Sequence, residues 1–87
     1  MKNLKLLDTI AILNSVPVDK LTMLEPEYRS ISSLPRGQVG TIVEIYNNNE
    51  EGSQYLVEFA DNQGYEYAMA ILKESEVLAI HYELTVA

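Results

Sequence analysis

The residues of this chain that could carry acid–base chemistry are its carboxylates and a single histidine, His81. Nucleophilic hydrolysis needs a histidine between an orienting carboxylate and an activated hydroxyl, and the sequence has no nucleophile-elbow pattern. Glycoside hydrolysis needs two carboxylates that face each other across a cleft, for which an 87-residue chain offers little room. We therefore predict no enzymatic activity and no catalytic residues. Several carboxylates nevertheless occur in pairs: Glu25/Glu27, Glu50/Glu51, Glu74/Glu76, and Glu58 near Glu66.

Metal and cofactor chemistry has equally little support. Cysteine is absent, which excludes disulfides and thiolate metal sites. Residues 47–51, Asn-Asn-Asn-Glu-Glu, are rich in oxygen ligands but lack the spacing of a calcium-binding loop. We expect a solvated turn there, no metal site and no cofactor.

The charge balance disfavours nucleic acid and anionic membranes as partners. Six basic residues stand against 13 acidic ones, for a net charge of −7. Proteins that bind phosphate backbones concentrate basic side chains, because counterion release supplies much of their affinity. The bases of this chain are scattered: Lys2, Lys5, Lys20, Arg29, Arg36 and Lys73.

The length fits one small domain, residues 1–87. The longest apolar runs fall short of the ~20 residues that cross a bilayer. Asp8 interrupts the apolar N-terminal run, and no small-residue cleavage site follows it. We therefore expect a cytoplasmic protein without membrane contact.

Five strands are predicted from β-branched and aromatic runs bounded by turn residues. They cover residues 4–13, 39–46, 53–60, 65–72 and 77–82, with a short 3₁₀ turn over 73–76 before the last strand. This order is typical of a sheet closed on itself. We predict an all-β fold, a small five-stranded SH3-like barrel with a long first loop.

That first loop, residues 14–37, contains all three prolines and is predicted to be irregular. Asp19 is expected to cap one helical turn over residues 20–24, which Pro26 would end. Loops of this length without regular structure are often where binding occurs.

The second hairpin has a predictable register. Gly64 suits the left-handed position of a three-residue loop, Asn62-Gln63-Gly64. The resulting register places the large apolar side chains on one face and the glutamates on the other. The expected facing pairs are Phe59/Tyr67, Val57/Met69, Tyr55/Ile71, Ala60/Glu66 and Glu58/Ala68.

Two glycines precede the second predicted strand. Gly37 and Gly40 are expected to turn the chain out of the long loop, with a bulge or a close backbone approach. Alternate strand residues then fill the barrel: Val39, Thr41, Val43 and Ile45. Any recognition by this stretch is expected at its ends, at Arg36 and Tyr46.

Six tyrosines against one phenylalanine suit a protein interface, because tyrosine combines apolar area with a polar tip. We assign Tyr55, Tyr65 and Tyr67 to the barrel wall. The others either cover edges of a small core or line a groove beside the long loop, whose acidic rim predicts a basic partner surface. The candidate partner-binding residues are Tyr28, Arg36, Tyr46, Tyr82, Glu25 and Glu27.

Five blocks of the sequence resemble a family of small bacterial proteins, domain of unknown function 4926. The blocks are LLDTIAIL, PRGQVGTIVEIY, YLVEFAD, GYEYAMAILK and EVLAIHYE, which together cover residues 6–83. Residues 18–34 are longer than the usual first loop of that family. The resemblance implies no established activity and no catalytic residues. It also implies a neighbouring gene for a second small protein, which suits one half of a two-gene module.

Residues 37–43, Gly-Gln-Val-Gly-Thr-Ile-Val, are similar to the core of the KOW motif of RNA-binding barrels. RNA binding needs basic residues around such a core, and Arg36 is the only one near it.

Taken together, these features lead us to expect a non-enzymatic protein-interaction module, with an antitoxin, immunity or chaperone-like role toward a neighbouring gene product. The alternative is a KOW-like barrel associated with RNA or the ribosome.

Overall fold

β-branched and aromatic residues form the strands from which this fold is built. The computed structural model describes residues 4–24, 32–48 and 52–80. Its strands are β1 (Thr9–Ile12), β2 (Val16–Pro17), β3 (Thr22–Met23), β4 (Ser33–Leu34), β5 (Val39–Asn48), β6 (Gly52–Ala60), β7 (Glu66–Lys73) and β8 (Val77–Ile80). Two 3₁₀ turns join them within the described residues, at Val18–Lys20 and at Glu74–Glu76, the latter as predicted.

Six of these strands form one antiparallel sheet in the order β3-β7-β6-β5-β1-β8, while β2 pairs with β4. The all-β prediction is confirmed. The closed five-stranded SH3-like barrel is not confirmed, because the edge strands β3 and β8 do not pair with each other in the described part of the chain.

The region predicted to be irregular, residues 14–37, contributes short strands to the fold. The predicted helical turn over residues 20–24 is wrong: Val18–Lys20 is a 3₁₀ turn, and β3 follows it. Asp19 lies inside that turn, and Pro17 precedes it. This segment pairs with β7 instead of forming a local helix, and the pairing gives its backbone groups hydrogen-bond partners. The Leu24 N–H, for example, donates to the Tyr67 carbonyl at 2.8 Å.

The first strand is shorter than predicted because a turn precedes it. The Lys5 N–H donates to Asp8 Oδ2 at 2.9 Å, and the Asp8 N–H donates to the Lys5 carbonyl at 3.1 Å. This turn holds Leu7 at a φ of 70°, in the left-handed region. Residues 4–8 therefore do not extend β1, and Leu6 and Leu7 are exposed.

The core lies on the inner face of the six-stranded sheet. Phe59 and Val57 are fully buried at its centre, opposite Gly40 of β5. A Cβ atom on Gly40 would lie 2.6 Å from Val57 Cγ1 and 2.9 Å from Phe59 Cδ1. The predicted close backbone approach is confirmed at Gly40, and the predicted turn at Gly37, whose φ is 91°.

A β-bulge in β5 reverses the predicted alternation of its side chains. Ile42 pairs with Val57 and Glu44 pairs with Leu56, which leaves Val43 as the extra residue. Before the bulge the inward residue is Ile42, fully buried, whereas Val39 is exposed. The expectation that Val39 fills the core is wrong, whereas Ile45, beyond the bulge, packs against the core as expected.

A second bulge shifts the hairpin register by one residue. Ala60 pairs with Glu66 as predicted, but Phe59 pairs with Ala68, so Tyr67 is the extra residue. The predicted pairs beyond this point are wrong, and Gly64 still takes the expected left-handed conformation, with a φ of 87°. The observed pairs are Glu58/Met69, Val57/Ala70, Leu56/Ile71 and Tyr55/Leu72.

Candidate functional site

A cleft of about 430 Å³ lies between β7 and the segment of residues 15–20. Its volume is within the ~300–1,000 Å³ typical of ligand sites. We call it the edge cleft. The residues that line it are Ser15, Val16, Pro17, Lys20, Gln54, Ile71, Leu72, Lys73, Ser75 and Glu76.

The cleft exists because β3 leaves β7 early. β3 pairs with β7 only at Met69 and Ala68. The preceding 3₁₀ turn, Val18–Lys20, carries the chain away from the strand edge. No strand of the described residues therefore lies beside Ile71 on that edge.

Two hydrogen bonds show which way the backbone of β7 faces. The Tyr67 carbonyl accepts from the N–H of Leu24, the residue after β3, and the Lys73 backbone N–H donates to Glu76 Oε1 at 2.9 Å, so both groups point away from β6. Residues two apart in a strand direct their backbone groups to the same side. The N–H and C=O of Ile71 therefore also point away from β6, toward the edge cleft.

The outer side of the sheet continues from the cleft across three strands. Tyr46 pairs with Gln54 and Gln54 with Lys73, and the neighbouring row is Glu44, Leu56 and Ile71. We call these six residues the outer face. Tyr46 is 41% exposed and Ile71 is 56% exposed, with Leu56 half-buried between the strands. The outer face thus combines three apolar residues, Tyr46, Leu56 and Ile71, with three polar or charged ones.

The rim of the edge cleft carries basic side chains although the chain is acidic overall. Lys20 and Lys73 both line it and are exposed. They are two of the four bases among the described residues, the others being Lys5 and Arg36. Among the described residues of the lining, Glu76 is the one carboxylate, and it accepts the backbone N–H of Lys73.

The structure separates two of the residues predicted to bind a partner. Arg36 is exposed in the turn before β5, and Tyr46 lies near the far end of that strand. The two residues thus lie at opposite ends of this stretch of chain, and only Tyr46 belongs to the outer face. The other candidates lie outside the described residues: Tyr28, Tyr82, Glu25 and Glu27.

The assignment of three tyrosines to the core is confirmed for two. Tyr55 and Tyr67 are buried, whereas Tyr65 is 65% exposed beside the hairpin loop, so its assignment was wrong. Burial, and secondarily the charge of Asp61, raises the pKa of the Tyr67 phenol. Its environment is that of a core residue and not of a proton donor in a cleft.

Sequence reasoning missed Lys20, Ile71 and Lys73. Ile71 and Leu72 are both apolar, so the pattern alone does not choose which of them faces inward. The bulge at Tyr67 makes that choice, and no glycine or proline inside β7 marks it. Lys73 could have been noticed as a base that ends a strand, but nothing in the sequence places Lys20 beside it.

Two other kinds of site find no support in the part of the chain that the structure describes. No cluster of three or more metal-ligating side chains occurs there. Nor does that part contain a helix of the length and apolarity that crossing a membrane requires.

Residues 6–79 match the family model described as domain of unknown function (DUF4926). The chain belongs to this family. The suspected resemblance is thereby confirmed. Neither the curated proteins nor the solved structures provide a significant match.

The matched span of the DUF4926 domain contains the whole candidate site. Every residue that lines the edge cleft and every residue of the outer face lies between positions 6 and 79. All described residues of the candidate site are therefore part of the family domain.

Proposed function

We propose that this protein is a non-enzymatic protein-interaction module that holds its partner on the outer face and the adjoining edge cleft. The observation that carries this proposal is that two large apolar side chains, Tyr46 and Ile71, are exposed on the same face of the sheet, and that Ile71 lines a cleft at an open strand edge. Exposed apolar patches with a polar rim often mark interaction sites. Tyrosine is also among the residues that contribute most to binding when buried in an interface.

Burial of the outer face supplies a reason for a partner to bind. Ile71 stands next to Leu56 in the sheet, so the two side chains form one continuous apolar strip. Fully burying an isoleucine side chain stabilises an association by about 1.5–3 kcal/mol before the entropic cost of binding. Tyr46 adds ring area two residues further along β5 than Glu44.

The charge of the chain suggests what surrounds the apolar strip on the partner. Glu44 is exposed at one end of the outer face, and the chain carries a net charge of −7. A partner with a basic surface would be attracted to this side and would bind faster at low salt. We propose a neighbouring gene product as that partner, with an antitoxin, immunity or chaperone-like role for this protein.

The proposal also covers the source, the cellular compartment and the fold type of the module. We infer a bacterial, cytoplasmic protein from the family resemblance and from the absence of cysteine. The chain order and antiparallel pairing of the predicted strands support an SH3-like arrangement of the sheet. The described bases do not gather at Arg36, so the RNA-binding alternative lacks a specific observation in its favour.

Affinity capture from the source cells, with quantitative mass spectrometry, tests the proposal. We expect one stoichiometric protein partner, retained at least tenfold less by Tyr46→Ala. Tyr65→Ala is the matched control, because Tyr65 is also exposed but lies beside the other hairpin loop. Recovery of no stoichiometric partner, or equal loss in both variants, would contradict the proposal.

A further inference from the structure

We propose that the edge cleft binds an extended peptide segment carrying a carboxylate, which adds as a short antiparallel strand to β7 at Ile71. This inference rests on the proposed function and specifies the chemistry of the partner segment. It is drawn from three properties of the cleft: its open backbone edge, the apolar residues in its otherwise polar lining and its two lysines.

The open edge is the first property. Ile71 directs its N–H and C=O toward the cleft, between the edge groups of Met69, which β3 covers, and of Lys73, which Glu76 covers. A peptide residue opposite Ile71 would form two backbone hydrogen bonds with it, as facing residues do in an antiparallel pair. Strand addition of this kind gives affinity through main-chain groups. The guest would continue the line of β3 past Thr22.

The walls of the cleft suit side chains of an extended segment. Four apolar residues belong to the lining: Val16 and Leu72 are buried in the core, whereas Pro17 and Ile71 are exposed. Because strand side chains alternate between two faces, one guest side chain would meet this apolar surface and its neighbour would face solvent. Pro17 has no N–H to offer, so hydrogen bonding by the guest is directed to β7.

The two lysines define the charge of the guest. Lys20 and Lys73 both line the cleft. The backbone N–H of Lys73 donates to the carboxylate of Glu76 and holds it at the 3₁₀ turn. An ammonium group is a strong partner for a carboxylate. A guest carboxylate would therefore find complementary charge here, in a chain whose net charge repels acidic ligands elsewhere. The basic surface proposed above would contact Glu44, at the far side of the outer face.

A random heptapeptide library displayed on phage, selected against the immobilised full chain, tests this inference. We expect the selected peptides to be enriched in Asp or Glu next to β-branched residues. As free synthetic peptides they should bind at least tenfold more weakly to the Lys20→Glu/Lys73→Glu double variant. Lys5→Glu is the matched control for each charge reversal, because Lys5 does not line the cleft, and it should leave binding unchanged.

Backbone methylation of the selected peptides tests strand addition without altering the protein. Methylation at the residue opposite Ile71 should abolish binding, while methylation one residue away should be tolerated. Selection without acidic enrichment, or binding that survives both lysine reversals, would overturn the inference. If a cellular partner is lost on Tyr46→Ala while the peptide results fail, the cleft chemistry is wrong and the interaction module stands. If neither is found, both proposals fail.

Discussion

At the scale of single residues, Gly40 shows how one absent side chain shapes the sheet. A methyl group at this position would overlap Val57 Cγ1 and the ring of Phe59, both in the fully buried core. We expect Gly40→Ala to lower the free energy of unfolding by about 1–3 kcal/mol, the usual cost of overpacking. Urea unfolding followed by circular dichroism measures it.

A double-mutant cycle identifies the cause of that loss. Val57→Ala removes the Cγ1 atom nearest to the added methyl group, so Gly40→Ala should cost less in that background than in the wild type. An equal cost in both backgrounds would show that the close approach to Val57 is not what excludes a side chain.

Tyr67 gives a prediction for alkaline pH. Its phenol has a raised pKa in the folded state, mainly through burial and secondarily through Asp61. As pH rises above about 10, the ordinary tyrosine pKa, the unfolded state loses this proton first. The free energy of unfolding should therefore fall from pH 10 upward until the pH exceeds the folded-state pKa. Below pH 10, Tyr67 should not make the free energy of unfolding depend on pH.

The Tyr67→Phe variant isolates this contribution, since phenylalanine has no proton to lose. We expect its free energy of unfolding to decline less steeply than that of the wild type above pH 10, measured by urea unfolding at several pH values. Tyr65→Phe, at an exposed position, serves as the control. If the free energy of unfolding declined equally steeply above pH 10 in Tyr67→Phe and the wild type, the attribution of this decline to Tyr67 would be refuted.

At the scale of elements, the bulge in β7 decides which residues form the core and which form the site. It makes Leu72 a core residue, only 4% exposed, and turns Ile71 outward. We expect Leu72→Ala to cost about 2–5 kcal/mol and Ile71→Ala no more than about 0.5 kcal/mol. Thermal or urea unfolding compares them. The register without the bulge requires the opposite order, so that order would refute the observed pairing.

Local rules predict the elements well where each residue type has a single role. Gly64 marks the hairpin loop, and residues 74–76 form the expected 3₁₀ turn. The bulges are different, because an extra residue such as Val43 or Tyr67 is accommodated by packing across the sheet. Periodicity along one strand carries no information about that packing. This is why the candidate site, which depends on the orientation of Ile71, was not predicted.

At the scale of the whole molecule, the open sheet follows from contacts between residues far apart in sequence. β3 joins β7 across more than forty residues, and this pairing turns a predicted loop into the outermost strand of the sheet. It also ends early and leaves the edge cleft. The all-β class follows from the sequence, whereas the number of strands, the closure of the sheet and its edges depend on such long-range pairing.

The overall charge acts at the same scale. The net charge of −7 keeps acidic ligands away from most of the surface. Lys20 and Lys73 create a local exception where the backbone of β7 is accessible. Binding at the edge cleft is thus favoured by charge, by shape and by hydrogen bonding at one place.

Amide hydrogen exchange at Ile71, measured by NMR, tests the central claim most directly. In the free protein the Ile71 N–H should exchange faster than those of Ala70 and Leu72, which face β6. With the captured partner bound, exchange at Ile71 should slow at least tenfold, while the two neighbours change little. Protection of Ile71 equal to that of its neighbours in the free protein, or unchanged exchange in the complex, would contradict the account.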